Sequence, residues 1–516
     1  MDHNFSPFLD SIGLSSSHSE SLGTLLHDVR NNGSDPAAIL IVACLAARQS
    51  LGTDQVNSAP LNQTLVDENW SLSCVAEPYC IFLPRNADDV AKAIKIISYF
   101  QVRFTIRSGG HSPNPGWSSV GPQGILLDLQ NLNDVSLLGD KKVASTGPGA
   151  RWGSVVAELG AQNATVVAAR HPQVGVGGLI LGGGYHHTSS AFGLVADNVK
   201  NFEIVLSNGT IANANLEENS DLFWALKGGG PNFGVVTRYD LHTIPVHEIW
   251  YQLAVYPPES ASTILDIFAE WQMNEGSEDL IANLVLSMGL DAHLLALIYS
   301  APAPANQTPS AFAPFSVLEP LQVITPAKSG TYATFDQDLA PFIDLSPARH
   351  DYRGVSSKVD AQLYKDVYNF WLERAQGARE AVGANQTFVL QHVPSNIAAQ
   401  GDAKGGNPLG IPHETHQWWT TLVDWAEEKD DEVARSVVID TVDQWEKLGR
   451  ERGLYLPFLS MNDAAREQNP LARYGEENVN RLKEVSLKYD PSQLFQTLQN
   501  GGFQLSSAAQ LGTLGG

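Results

Sequence analysis

The chain has 516 residues, 43% hydrophobic and 17% charged, enough to bury more than one core. A formal net charge of −24 argues against a surface that replaces counterions along a nucleic acid or docks on an anionic membrane; its plain consequence is solubility. No apolar run reaches transmembrane length.

The first seventy or so residues read as a helical lead-in. Within it "AAILIVACLAA", Ala37 to Ala47, is too short to span a bilayer and reads as a buried helix. The first residues lack the basic start of a secretory signal, yet Asn4, Asn32, Asn62, Asn69, Asn163, Asn208, Asn306 and Asn385 all open Asn-x-Ser/Thr sites, which lean toward a secretory route. Cys44, Cys74 and Cys80 allow one disulfide with a thiol left over, or three reduced thiols. They have no metal-ligand spacing with histidines.

From Cys80 the texture changes. "YCIFLP" reads as a short strand. "NADDVAKAIKIISYF" reads as a helix with Asn86 as N-cap, and "VRFTIRSGG" as a strand running into a glycine turn. A further strand, a glycine turn and a helix follow through "GILLDLQNLNDVSLL" and "KKVASTGPGARWGSVVAELG". This alternation predicts an α/β region. Beyond about Pro245 the glycines thin out. "WYQLAVYP", "LIANLVLSM", "HLLALIYS" and "TFVLQHVP" alternate as strands of an antiparallel sheet with helices on one face. "ENVNRLKEVSLKYDPSQLF" is a helix that ends before Asp490-Pro491.

Between these regions lie "RSGGHSPNPGW", "GVGGLILGGGY" and "WALKGGGPNFGVVT". None has clean dinucleotide-fold spacing, and no P-loop Gly-Lys-Ser/Thr occurs. Tight turns would account for one such cluster. Several within one α/β region favour backbone amides closing around an extended anionic ligand, and the histidine of the first cluster is held between glycines and prolines as if presented to it.

Together with "GLVADNV" and "KYDPSQLF", these motifs resemble the FAD-linked oxidases with a p-cresol methylhydroxylase-type FAD domain, in particular the berberine bridge enzyme-like branch common in fungi. The resemblance runs from about Cys80 to the C-terminal "GGF". It implies an α+β fold with a lead-in over 1–75, a two-part FAD-binding domain over 76–247, a substrate domain with an antiparallel sheet over 248–465, and a return to the FAD domain over 466–516. It also implies FAD linked covalently through His111. Further cofactor contacts are expected from Arg107, Ser108, Gly109, Gly110 and Ser112, from Gly149, from Val174, Gly175, Gly178, Gly182, Gly183 and Tyr185, from Asn198 and Val236, and from Asn462.

Relatives with two covalent links carry a cysteine three residues before the "VGVGG" run; here that residue is His171, so a single link is expected. Val174 occupies the position associated with oxygen access to the flavin, and it also suits a packed core. Sugar-oxidising relatives place an Asn-Tyr pair on a late strand, with tyrosine as base. Here the pair is Asn462-Asp463, so Asp463 is either the base or a solvated strand-end carboxylate. On "HETHQWWTTLVDW", alternation sets His416, Trp418 and Thr420 on one face, and His186 and His187 follow the glycine run. His416 and His187 are the further catalytic candidates. The expected activity is oxidation of a small to medium secondary metabolite, with oxygen as acceptor and peroxide as by-product. The rivals are a flavin-dependent cyclase or isomerase, and a flavin-free binding protein on the same fold.

Overall fold

The computed structural model describes residues 5–31, 36–304, 307–342 and 346–511. Strands Cys80–Phe82, Gly124–Asp128 and Arg103–Arg107 lie side by side in that order and run parallel, with Val56–Ser58 antiparallel at the edge. A sheet buried on both faces accounts for their unbroken apolar runs. The crossover helix Ala87–Phe100 begins where Asn86 Oδ1 accepts from the Asp89 amide at 2.9 Å. Its buried Val90, Ile94 and Ile97 share a core with the lead-in helices Phe5–Ser11 and Pro36–Leu51. Cys44 and Cys80 form a disulfide between the last of these helices and the first parallel strand, which leaves Cys74 as a buried thiol. Pro36–Leu51 is not fully enclosed: Ile41 and Leu45 face out.

A second, antiparallel sheet runs Val135–Leu138, Val143–Thr146, Val235–Ile244, Val199–Val205 and Ile211–Ala214. Among the described residues the third sheet has nine strands. Its centre is Ala282–Met288, Asn385–Val393 and His416–Trp425, and its partner strands pair antiparallel. Helices Ala261–Met273, Ala361–Val382 and Asp431–Glu451 cover one face and bury Trp271, Trp371, Trp419 and Trp445 with Phe388. Each such side chain contributes on the order of 2–3 kcal/mol by leaving water. The strand period then sends Trp418 to the opposite face, into a core shared with the second sheet. That face is the one turned toward the glycine loops.

Helix Glu476–Tyr489 stops at Asp490, whose carboxylate accepts from the amides of Leu494 and Phe495, both at 2.9 Å. The chain then returns to the parallel sheet, where Phe104 and residues 498–500 exchange two backbone bonds. The segment expected as a late strand departs from that expectation. Only Tyr455–Leu456 pairs, and Met461–Asp463 is a single 3-10 turn. Of the glycosylation sites, Asn62, Asn163, Asn208 and Asn385 are exposed, whereas Asn69 is half-buried and accepts from the Ser118 hydroxyl at 2.8 Å. Asn4, Asn32 and Asn306 lie outside the described residues.

Candidate active site

Parallel strand Arg103–Arg107 delivers the loop Ser108–Ser112. Directly opposite is the turn leading into helix Val176–Leu181. The two approach so closely that a Cβ on Gly109 would lie 2.5 Å from the Gly175 Cα, which is why neither position tolerates a side chain. Gly110 sits at φ +62°, in the left-handed region that favours glycine. Ser108 Oγ accepts from the Gly177 amide at 3.2 Å and donates to Pro148 O at 2.5 Å, fixing the two loops together. Arg151 Nη1 donates to Gly109 O at 2.8 Å and Gln173 O at 2.7 Å.

These loops form one wall of a cavity of about 650 Å³. Of the expected cofactor contacts, Ser108, Gly109, Gly110, His111, Ser112, Val174, Gly175, Gly178, Gly182, Tyr185, Val236 and Asn462 line it. Asn462 also ties the walls together: its Oδ1 accepts from the Gly184 amide at 3.0 Å. Four expected contacts are not part of the lining. Arg107 turns under the loop and forms a buried ion pair with Asp128 at 2.5 Å, so it supports the strand end. Gly149 is needed because a Cβ there would overlap Leu129 O. Gly183 abuts Leu194 and Leu409. Asn198 spends its amide on Phe192 O and Leu194 O and accepts from Lys404 at 2.8 Å.

His111 lies against the cavity with its Nε2 buried and without a hydrogen-bond partner. Burial first, then His171, Arg151 and His350, push its pKa down to about 3, so the imidazole is neutral at physiological pH. The His171 ring is 5.1 Å away, centroid to centroid, and its Nδ1 accepts from the Gln173 amide at 3.2 Å.

The facing wall comes from the third sheet. Thr387, Val389, Trp418, Leu422 and Phe458 line it, with Tyr185 edge-on to Trp418 at 5.3 Å. Asp463 lines the same space beside Asn462. Burial raises its pKa above the ordinary 3.8, opposed by the Arg170 charge and by Ser460. Arg170 in turn stands 4.9 Å over the Tyr185 ring, and Tyr185 Oη donates to His392 O at 2.6 Å. A carboxylate in this setting is a stronger base than a solvated one, and the nearby Arg170 charge partly offsets the cost of its burial.

The other two catalytic candidates lie away from the cavity. His416 is on the face predicted for it but beyond the cavity, packed on Phe458 with Nδ1 at 2.8 Å from Glu414 O. His187 is buried outside the cavity, between Tyr332 and Phe335, because the chain turns away after Tyr185. His186 binds Thr188 and packs on Tyr332. Sequence reasoning missed Trp70, His350 and Tyr352, which line the cavity from segments with no motif of their own, and Arg170, which lines it beside His171.

The cavity fits FAD in kind: a backbone wall with no room for side chains, an unpartnered imidazole nitrogen, and open space where a Cβ on Gly178 would point. Comparison with known proteins agrees. Residues 78–215 match the FAD binding domain family. An FAD-dependent monooxygenase of Arthrobotrys oligospora is 36% identical over 482 residues, covering 93% of this chain and 91% of the relative. The bifunctional solanapyrone synthase of Alternaria solani is 29% identical over 505 residues, with 96% of each chain covered. Among solved structures, glucooligosaccharide oxidase from Acremonium strictum, described with a 6-S-cysteinyl, 8α-N1-histidyl FAD, superimposes with a TM-score of 0.74 at 19% identity over 89% of this chain and 98% of that one. Physcomitrella patens BBE-like 1 gives 0.73 at 18% identity, over 87% and 97%. The chain is an FAD-dependent oxidoreductase that belongs to the same family as the FAD-dependent monooxygenase of Arthrobotrys oligospora, on the fold of the berberine bridge enzyme-like oxidases.

Proposed function

We propose that this enzyme oxidises a small to medium secondary metabolite, an alcohol or an activated C–H compound, with FAD held covalently through His111 alone and oxygen as the final acceptor. The observation that carries this reading is that His111 and Asp463 line one cavity. Bound FAD supplies two-electron hydride acceptance and reoxidation by oxygen. The chain supplies the rest. Ser108, Gly109 and Gly175 hold the backbone wall, and Asn462 fixes that wall against the substrate sheet. Trp418, Phe458 and Val389 exclude water and pack the substrate. Asp463 takes the substrate proton, and Arg170 stabilises the carboxylate between turnovers. A neutral His111 is the form of imidazole that can act as a nucleophile toward a carbon centre, which supports the single link. His171, where the doubly linked relatives have cysteine, offers no thiol for a second link.

The bifunctional synthase among the relatives, together with aspartate in place of tyrosine at 463, supports a second reading in which the same cavity completes a cyclisation. Product analysis with peroxide quantification separates them. One peroxide per product fits oxidation. Product without peroxide fits cyclisation or isomerisation, and incorporation of labelled oxygen fits the monooxygenase activity named in relatives. The test of the base is anaerobic stopped-flow reduction of Asp463→Asn by substrate. A rate within twofold of wild type would remove Asp463 from this role.

A further inference from the structure

The residues just before the FAD domain, "ENWS", Glu68 to Ser71, do something the lead-in helices do not. The Trp70 indole is stacked between two imidazoles. His111 lies on one side at 4.4 Å with 9° between the planes, and His350 lies at 4.1 Å and 21°. The segment is fastened at both ends of that stack. The Trp70 amide donates to Gly110 O at 3.0 Å, in the residue preceding His111. Ser71 Oγ accepts from the His350 amide at 2.8 Å, and the Leu72 amide donates to Ala348 O at 2.9 Å. Glu68 pairs with Arg151 at 3.2 Å, and Arg151 is the residue that holds Gly109 O. The lead-in therefore clamps the His111 loop to the substrate sheet through one aromatic plane.

We propose that Trp70 is the positioning residue for cofactor attachment: it fixes the plane of the His111 imidazole, and so the direction in which a ring nitrogen meets the cavity that His111 lines. This rests on the reading of His111 as the attachment site. A ring that is free to rotate about its two side-chain bonds presents that nitrogen only part of the time, and attachment slows in proportion. Attachment replaces an imidazole N–H and a methyl C–H with one N–C bond. The two protons and two electrons released pass, by way of solvent and the flavin, to dioxygen, giving hydrogen peroxide. Trp70 takes no part in that balance; it supplies orientation.

The experiment compares wild type, Trp70→Phe and Trp70→Leu, each produced as full-length protein and incubated with FAD. Total flavin is read from visible absorbance of the native protein, and covalent flavin from fluorescence of the denatured protein on a gel. Trp70→Leu is expected to bind FAD yet attach it at least tenfold more slowly, and Trp70→Phe, which keeps a stacking face, to recover most of that loss. Attachment by Trp70→Leu at the wild-type rate overturns the proposal. Should Trp70→Leu not fold, Trp70→Met, which fills the space without a stacking face, decides. Attachment slowed severalfold at an unchanged melting temperature supports the clamp, and an unchanged rate overturns it. Absence of covalent flavin from wild type itself would instead remove the His111 attachment reading, a different and separable outcome.

Discussion

The wall of the cavity on the FAD side is built largely from backbone, at Gly109, Gly175 and Gly178, while the wall on the sheet side is built from side chains, at Trp418, Phe458 and Asp463. The difference follows from the ligands. An extended cofactor with one fixed shape is gripped best by chain that can approach it closely, and side chains would only hold it off. A substrate must be chosen among alternatives and must give up a proton, and that requires shape and titratable groups.

The sharpest way to break this comparison is at the glycines. Gly175→Ala places a Cβ against the Gly109 backbone, which cannot withdraw, so a loss of about 3 kcal/mol in stability is expected, with failure to retain FAD. Gly178→Ala is the control: a Cβ there meets no protein atom, so the fold should keep its melting temperature while FAD retention falls. Thermal denaturation with flavin absorbance reads both. Equal destabilisation by the two would contradict a wall shaped for the cofactor.

On the other wall, Asp463→Asn should leave FAD in place and slow its reduction by substrate about a hundredfold or more. In wild type that rate should fall as pH drops through the Asp463 pKa, which lies above 3.8, because the protonated acid cannot accept a proton. The variant should lack this limb. Trp418→Leu removes one packing face and should raise the substrate KM about tenfold, near 1.4 kcal/mol, with a smaller change in kcat. Steady-state kinetics separates the two effects.

The smallest effect concerns stability. The folded pKa of Asp463 is raised, so its contribution is fully present below the unfolded value near 3.8 and is lost as pH rises through the folded pKa. The melting temperature of Asp463→Asn minus that of wild type should therefore become more positive as pH rises across that window. A difference that is flat with pH would mean the carboxylate is not desolvated.

How legible each wall was in the sequence follows the same division. The strand Arg103–Arg107, the capped helix Ala87–Phe100 and the glycine turns carry local patterns, and the His111 loop and Gly175 were found from them. Trp418 was readable from strand alternation. Arg107 and Asn198 sit within the same motifs yet serve the fold, since a motif does not distinguish a ligand contact from the buried pairs that hold the loop. His187 and His416 looked functional by type, but one chain turn and one strand end carry them out of the cavity. Trp70 and Tyr352 were invisible because they come from separate segments and meet only in the folded chain, and Arg170, although next to His171, carries no signal of its own. The pairing of Cys44 with Cys80 was likewise open until the lead-in helix was seen to lie on the first parallel strand.

The most direct measurement is peptide mapping of the flavinylated protein. Tryptic digestion and mass spectrometry should give one flavin-bearing peptide, containing His111, and none containing His171. Flavin on His171, or no covalent flavin on any peptide, would contradict the account.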